Sequence, residues 1–184
     1  MMGNSSVDKK LIENVKEIAK DAGKAIIDVY HTAFEVELKD DNSPLTLADK
    51  TSHDIISTKI LDISDYPILS EEGKNIRYND RKDWIKYWLV DPLDGTKEFI
   101  KKNNEFTVNI ALLENNQPIF GVVYAPALNI LYWGSAENGS FISNDGNTFT
   151  PISVRSQITN PVQIAVSRSH PSPRLNDFIA QFDD

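Results

Sequence analysis

From Trp88 to Phe99 the chain runs Trp88-Leu89-Val90-Asp91-Pro92-Leu93-Asp94-Gly95-Thr96-Lys97-Glu98-Phe99. A strand-like apolar stretch there ends abruptly in two carboxylates, a proline, a glycine and a threonine. A buried strand does not tolerate Asp91 and Asp94 unless something cationic meets them, because an unpaired buried charge is very costly. A second short apolar run, Pro67-Ile68-Leu69-Ser70, ends the same way in Glu71-Glu72. Two strands that each deliver acids from their C-terminal ends predict one oxygen-lined metal site.

Composition narrows the metal. The chain has no cysteine, which excludes disulfide scaffolds, thiolate catalysis and zinc–cysteine sites together. Its three histidines, His31, His53 and His170, are far apart in sequence. A hard cation held by carboxylates is therefore expected, not zinc. A formal net charge of −8 over 184 residues argues against non-specific attraction to nucleic acid or anionic lipid. The N-terminus lacks the basic and apolar regions of a signal peptide, and no run approaches transmembrane length, so the sequence reads as cytoplasmic.

Mg²⁺ keeps several waters and needs only a few carboxylates plus substrate phosphate oxygens. Asp91 and Asp94, separated by a proline that fixes the turn, can face one cavity, with the Leu93 carbonyl between them and Glu71 arriving from the other strand. Gly95 permits a close backbone approach, and Thr96 opens a helix whose free N–H groups favour phosphate. Two ions could then serve an in-line phosphoryl transfer, the Thr96 hydroxyl orienting the water and Asp49 accepting its proton through Thr96. Each residue taken singly has a plainer role. Asp94-Gly95 is a common turn dipeptide, Glu71-Glu72 a common surface pair, Asp49 a capping-box acid three residues after Thr46, and His170 a surface histidine. It is their conjunction that points to a metal.

Asp91-Pro92-Leu93-Asp94-Gly95-Thr96, with Glu71-Glu72 upstream, resembles the signature of the inositol monophosphatase and fructose-bisphosphatase superfamily of lithium-sensitive, magnesium-dependent phosphatases. Gly95-Thr96-Lys97-Glu98-Phe99 is similar to its 3'(2'),5'-bisphosphate nucleotidase branch, the bacterial CysQ type. So are Glu105-Phe106-Thr107-Val108-Asn109-Ile110-Ala111, Gly121-Val122-Val123-Tyr124-Ala125-Pro126 and Ser167-Arg168-Ser169-His170. The resemblance implies that Glu71, Asp91 and the Leu93 carbonyl bind a first Mg²⁺, and that Asp91 bridges to a second ion also held by Asp94. It implies that Gly95 and Thr96 cradle the scissile phosphate, that Asp49 and Thr96 activate water, and that His170 lies near the nucleotide; Glu72 has no clear ligand role in the family and is expected behind the ligands. The implied substrate is a small phosphorylated nucleotide, adenosine 3',5'-bisphosphate, cleaved to AMP and phosphate in clearing a by-product of sulfate assimilation. Peripheral association with the inner membrane is implied by the resemblance alone.

The expected fold is an α/β layered sandwich of the sugar phosphatase type, a largely antiparallel sheet flanked by helices. Helices are expected at about 7–33 and 46–61, and strands at 34–38, 67–70, 106–113, 118–125, 130–134 and 162–166, with a last helix from Ser172 to about Phe182. Asp40 to Pro44 reads as a turn-rich connection. Residues 1–160 are expected to form a metal-binding α+β domain and 161–184 the start of a C-terminal α/β domain. A later Trp-Asp-x-Ala-Ala-Gly motif of the superfamily, which completes the second ion site, is absent, so a C-terminally truncated form is expected. Inositol monophosphate hydrolysis on the same scaffold, or a fragment that binds metal without turnover, are the competing readings.

Overall fold

Asp8 opens the first helix, its carboxylate accepting the Lys10 amide at 3.1 Å. Helix α1 spans Lys9–Tyr30 in this computed structural model, which describes residues 7–38, 44–158, 160–166 and 172–182. Ile12, Val15, Ala19, Ala22 and Ile26 recur at helical spacing and are all buried. The helix stops one turn short of the expected end, where the Thr32 hydroxyl donates to the Val29 carbonyl at 2.8 Å. Strands β1 (Val36–Leu38) and β2 (Pro44–Thr46) form a small antiparallel pair. Residues 40–43 of the expected turn lie outside the described residues.

Helix α2 (Leu47–Leu61) begins with the predicted capping box: Thr46 Oγ1 accepts the Ala48 amide, and the Asp49 carboxylate accepts the Thr46 amide. The main sheet then forms in chain order from β3 (Ile68–Ser70), β4 (Lys86–Asp94), β5 (Thr107–Glu114), β6 (Gln117–Ala125), β7 (Ile130–Ser135), β8 (Gly139–Ser143) and β9 (Thr150–Ile152). β3 pairs with β4 in parallel and every later pair is antiparallel. Short helices α3 (Tyr78–Arg81) and α4 (Thr96–Ile100) flank β4. The β5–β6 hairpin turns on Asn115 and Asn116, both left-handed at φ 51° and 60°, the geometry a two-residue turn requires and asparagine tolerates.

Alternation along the strands sends Trp88, Val90, Val108, Ile110, Leu112, Phe120 and Val122 to one face, where they are buried in a single core with α1 and α2. Contact there is close. A Cβ built at Gly23 of α1 would stand 2.5 Å from the Tyr124 ring of β6. The opposite face of the sheet exposes Leu89, Val123 and Tyr132 at 42%, 41% and 39%.

A first compact unit ends at Ile152 and a second begins at Ser153. The second contains α5 (Pro173–Ile179), capped by the Ser172 hydroxyl accepting the Leu175 amide at 3.1 Å, and a 3₁₀ turn (Ala180–Phe182). The strand expected at Val162–Val166 does not form: the segment is irregular. A strand needs a neighbour to satisfy its backbone, and the second unit contains none among its described residues. Strands β8 and β9 were not foreseen. Among the described residues, no helix is long and apolar enough to cross a membrane.

Candidate active site at the acidic strand ends

Parallel pairing of β3 with β4 brings the two acidic ends to the same edge of the sheet. Ser70 stands opposite Val90, and the ladder continues one step further as the Glu71 amide donates to the Val90 carbonyl at 3.0 Å. Glu71 thereby arrives beside Asp91. β4 carries both carboxylates of the expected strand end. It runs on to Asp94, with a register shift between Asp91, which faces Asn109, and Asp94, which faces Thr107. Pro92 and Leu93 occupy this irregularity, which serves to re-aim the flanking side chains.

Asp91 is the electrostatically strained member. Its pKa is pushed up from 3.8 to about 7, first by burial, then by repulsion from Glu71 and Asp94, and by a side-chain hydrogen bond with Glu71 that favours the protonated form. The Leu93 amide pulls in the other direction. Glu71 and Asp91 border a groove of about 480 Å³ whose walls include the apolar side chains of Leu69, Leu89 and Val123. Asp91 Oδ1 is buried with no hydrogen-bond partner. Asp94 is exposed, and its carboxylate accepts the Asn109 amide at 3.2 Å.

Behind the acids lies a second hydrogen-bonded group. Asp49 is fully buried. Its Oδ2 accepts the Thr46 amide at 2.7 Å and the Thr46 hydroxyl at 2.6 Å, while its Oδ1 accepts the Thr96 hydroxyl at 3.1 Å. The Leu93 carbonyl is a second acceptor for Thr96 Oγ1, at 3.3 Å. Asp49 therefore fills its capping role and meets Thr96 at once. Gly95, which precedes Thr96, is left-handed at φ +94°, and a Cβ there would come 2.8 Å from the Glu105 carbonyl. Only glycine fits this turn without strain.

The fit to a divalent cation follows from these contacts. Among the described residues, no three His, Cys, Asp or Glu side chains stand together as a preformed metal cage. Glu71 and Asp91 are paired, whereas Asp94 is engaged by Asn109. Mg²⁺ does not require an all-protein cage, because one or two carboxylates suffice when waters and phosphate oxygens complete the octahedron. A partnerless buried carboxylate oxygen beside a second carboxylate suits such an ion, which would supply the positive charge that the pair lacks.

Of the expected site residues, Asp49, Leu93, Gly95 and Thr96 form one connected group, and Glu71 joins Asp91 across the strand pair. Glu72 is half-buried next to Glu71. His170 and the preceding residues 167–169 lie outside the described residues. Reading the sequence alone missed Asn109, which looks like an ordinary outward-facing strand residue. It also missed His53, whose Nδ1 lies 2.8 Å from Ser70 Oγ; its position four residues after Asp49, on the same helical face, was the available signal.

Known proteins share both the sequence and this architecture. The chain is 42% identical over 177 residues to the 3'(2'),5'-bisphosphate nucleotidase CysQ of Escherichia coli, a match that takes in 95% of this chain and 70% of that protein. The crystal structure of CysQ from Bacteroides thetaiotaomicron, described as a bacterial member of the inositol monophosphatase family, superposes with a TM-score of 0.70 at 34% identity. That superposition covers 94% of this chain and 68% of the other. The model of the inositol monophosphatase family matches residues 8–182. With acidic strand ends, Thr96 and Asp49 assembled as described, the chain belongs to the inositol monophosphatase family of phosphatases.

Proposed function

We propose that this chain is a magnesium-dependent phosphomonoesterase that removes the 3'-phosphate of adenosine 3',5'-bisphosphate, giving AMP and inorganic phosphate. The observation that carries the chemistry is the pairing of Glu71 with a half-buried Asp91, one buried oxygen of which has no partner, beside the Thr96–Asp49 hydrogen bond. The choice of substrate is supported by the name of the 42%-identical relative.

Glu71, Asp91 and the Leu93 carbonyl would hold one Mg²⁺, and Asp91 with Asp94 a second. When bound, the ions would stabilise charge on the phosphate oxygens and acidify a water. The protein's own residues handle the proton. Thr96 Oγ1 accepts a hydrogen bond from the attacking water and donates its own proton toward Asp49 Oδ1. As the new phosphorus–oxygen bond forms, the water's proton passes to Thr96 and that of Thr96 to Asp49, while the bond to the ribose 3'-oxygen breaks. That oxygen takes a proton from a solvent water, and the hydroxide left behind is neutralised by the proton Asp49 gives back. The two further hydrogen bonds that Asp49 accepts from Thr46 keep it oriented for this transfer. Gly95 admits the phosphate close to the backbone.

Phosphate release from adenosine 3',5'-bisphosphate with Mg²⁺ tests the proposal, with inositol 1-phosphate as the competing substrate and Asp91→Asn as control. Release that favours the nucleotide and disappears in the control is expected. Preference for the inositol ester would overturn the substrate, and full activity in the control would overturn the site.

A further inference from the structure

The first two turns of α2, where it passes the acidic strand ends, bury two polar side chains beside the small Ala48, and the later turns bury only apolar ones. Ile56 and Ile60 line its last two turns and are fully buried, and Asp49 and Ser52, equally buried, line the first two. A helix that had only to pack against the sheet would carry apolar side chains throughout, since each buried polar group needs its own partner to offset desolvation. Here the partners are specific. The Ser52 hydroxyl donates to the Pro92 carbonyl at 2.7 Å, within the irregularity between Asp91 and Asp94. His53, the next residue, shares a hydrogen bond through Nδ1 with Ser70 Oγ at 2.8 Å. Ser70 is the last residue of β3 and directly precedes Glu71. Adjacent residues of one helix thus grip both acidic strand ends.

We infer that Ser52 and His53 are positioning residues, holding the Pro92 peptide and the end of β3 in the register that sets Glu71 against Asp91. The inference rests on the reading of Glu71 and Asp91 as cation ligands and adds what keeps them together. β3 is three residues long and forms the edge of the sheet, with β4 as its neighbour. As an edge strand it is paired along one side. The hydrogen bond between Glu71 and Asp91 is one tie between the strand ends, and bonds outside the pair add to it. His53 supplies one from the helix that also carries Asp49, so the proton acceptor and the Glu71 strand move as one piece.

Calorimetric titration of the full chain with Mg²⁺ or Mn²⁺ tests this, with circular dichroism confirming that each variant is folded at the titration temperature. His53→Phe keeps the ring shape without the nitrogen, and Ser70→Ala removes its partner. Each is expected to weaken binding about tenfold, the scale seen when groups that orient metal ligands are lost. The double variant should be no weaker than either single one, and His53→Asn, which places an amide near the former Nδ1, should recover most of the affinity. Ser52→Ala should weaken binding similarly. Unchanged affinity in folded His53→Phe, or additive losses in the double variant, would overturn the inference while leaving the cation reading intact if Glu71→Gln abolishes binding. A wild-type chain that binds neither ion would overturn both.

Discussion

Replacing Asp91 by asparagine should stabilise the metal-free protein while disabling it. The carboxylate is desolvated and faces Glu71 and Asp94, which together raise its pKa from 3.8 to about 7. A shift of that size corresponds to about 4 kcal/mol of disfavoured ionisation. Because Asp91 is half-buried and partly screened by water, roughly half of this, about 2 kcal/mol, is expected in stability. The sign follows from linkage. The folded protein retains a proton on Asp91 that the unfolded chain has lost, so its stability falls as pH rises from about 4 to 7 and stays low above that. The amide never ionises and escapes the penalty. In EDTA at pH 8, Asp91→Asn should melt about 4–8 °C above the wild type, for a domain of this size. The gap should close as pH is lowered to about 3, below the unfolded value, where the wild-type carboxyl is mostly protonated in both states. Adding Mg²⁺ should raise the wild-type midpoint, since binding to the folded state stabilises it, and leave the variant unmoved. A variant less stable than the wild type in EDTA at pH 8, or a gap independent of pH, would refute the account of Asp91 as a repelled, desolvated acid.

Thr96→Ala should lower kcat by about 10²–10⁴ while calorimetric Mg²⁺ affinity changes little, and Thr96→Ser should retain most of the rate; a normal kcat in the alanine variant would remove Thr96 from proton transfer. Gly95→Ala forces a side chain into a left-handed turn and against the Glu105 carbonyl, so urea unfolding should show a loss of about 2 kcal/mol or more. Equal stability would mean that the turn relaxes at no cost. Gly23→Ala gains about 1 kcal/mol of helix propensity but drives a methyl into the Tyr124 ring, and a net loss of about 1–2 kcal/mol is expected by the same method. A stabilised variant would show that α1 does not pack against β6 as closely as described.

What could be read from the sequence was what short-range chemistry decides. The Thr46–Asp49 capping box lies within one turn of helix, and its pattern needs no partner from elsewhere. The Asp91–Thr96 stretch likewise carries its proline, glycine and acids in one local run. The sheet's hairpins were legible because Asn115-Asn116 and the alternation around it encode both turn and face. The misses concern segments whose state is settled by a distant neighbour. Gly139-Ser140-Phe141-Ile142-Ser143 has weak strand character by itself and becomes β8 because it pairs with β7, where Phe141 stacks on Trp133 at 4.5 Å. Val162–Val166 has the better strand composition and stays irregular, with no strand beside it among the described residues. Composition thus ranked the two segments in the wrong order, and pairing reversed it.

The same distinction explains why half of the candidate site was visible and half was not. The acids announce themselves, since a carboxylate at the end of an apolar strand has few reasons to be there. The groups that hold them do not: Ser52, His53, Ser70 and Asn109 are each unremarkable in their own segments. His53 and Ser70 meet across 17 residues, and Asn109 meets Asp94 across 15. α2 shows the cost of such an arrangement. Its inward face gives up apolar contacts in two turns for hydrogen bonds that are worth only about 1 kcal/mol each to stability. Such departures from the packing pattern are concentrated at functional sites. Here the buried polar groups, Asp49 and Ser52, lie within the turns that face the acids, and from Ile56 onward the buried side chains are apolar. Capping accounts for Asp49 but not for Ser52, whose hydroxyl reaches the Pro92 carbonyl between Asp91 and Asp94, and it is this second buried polar group that argues for the site.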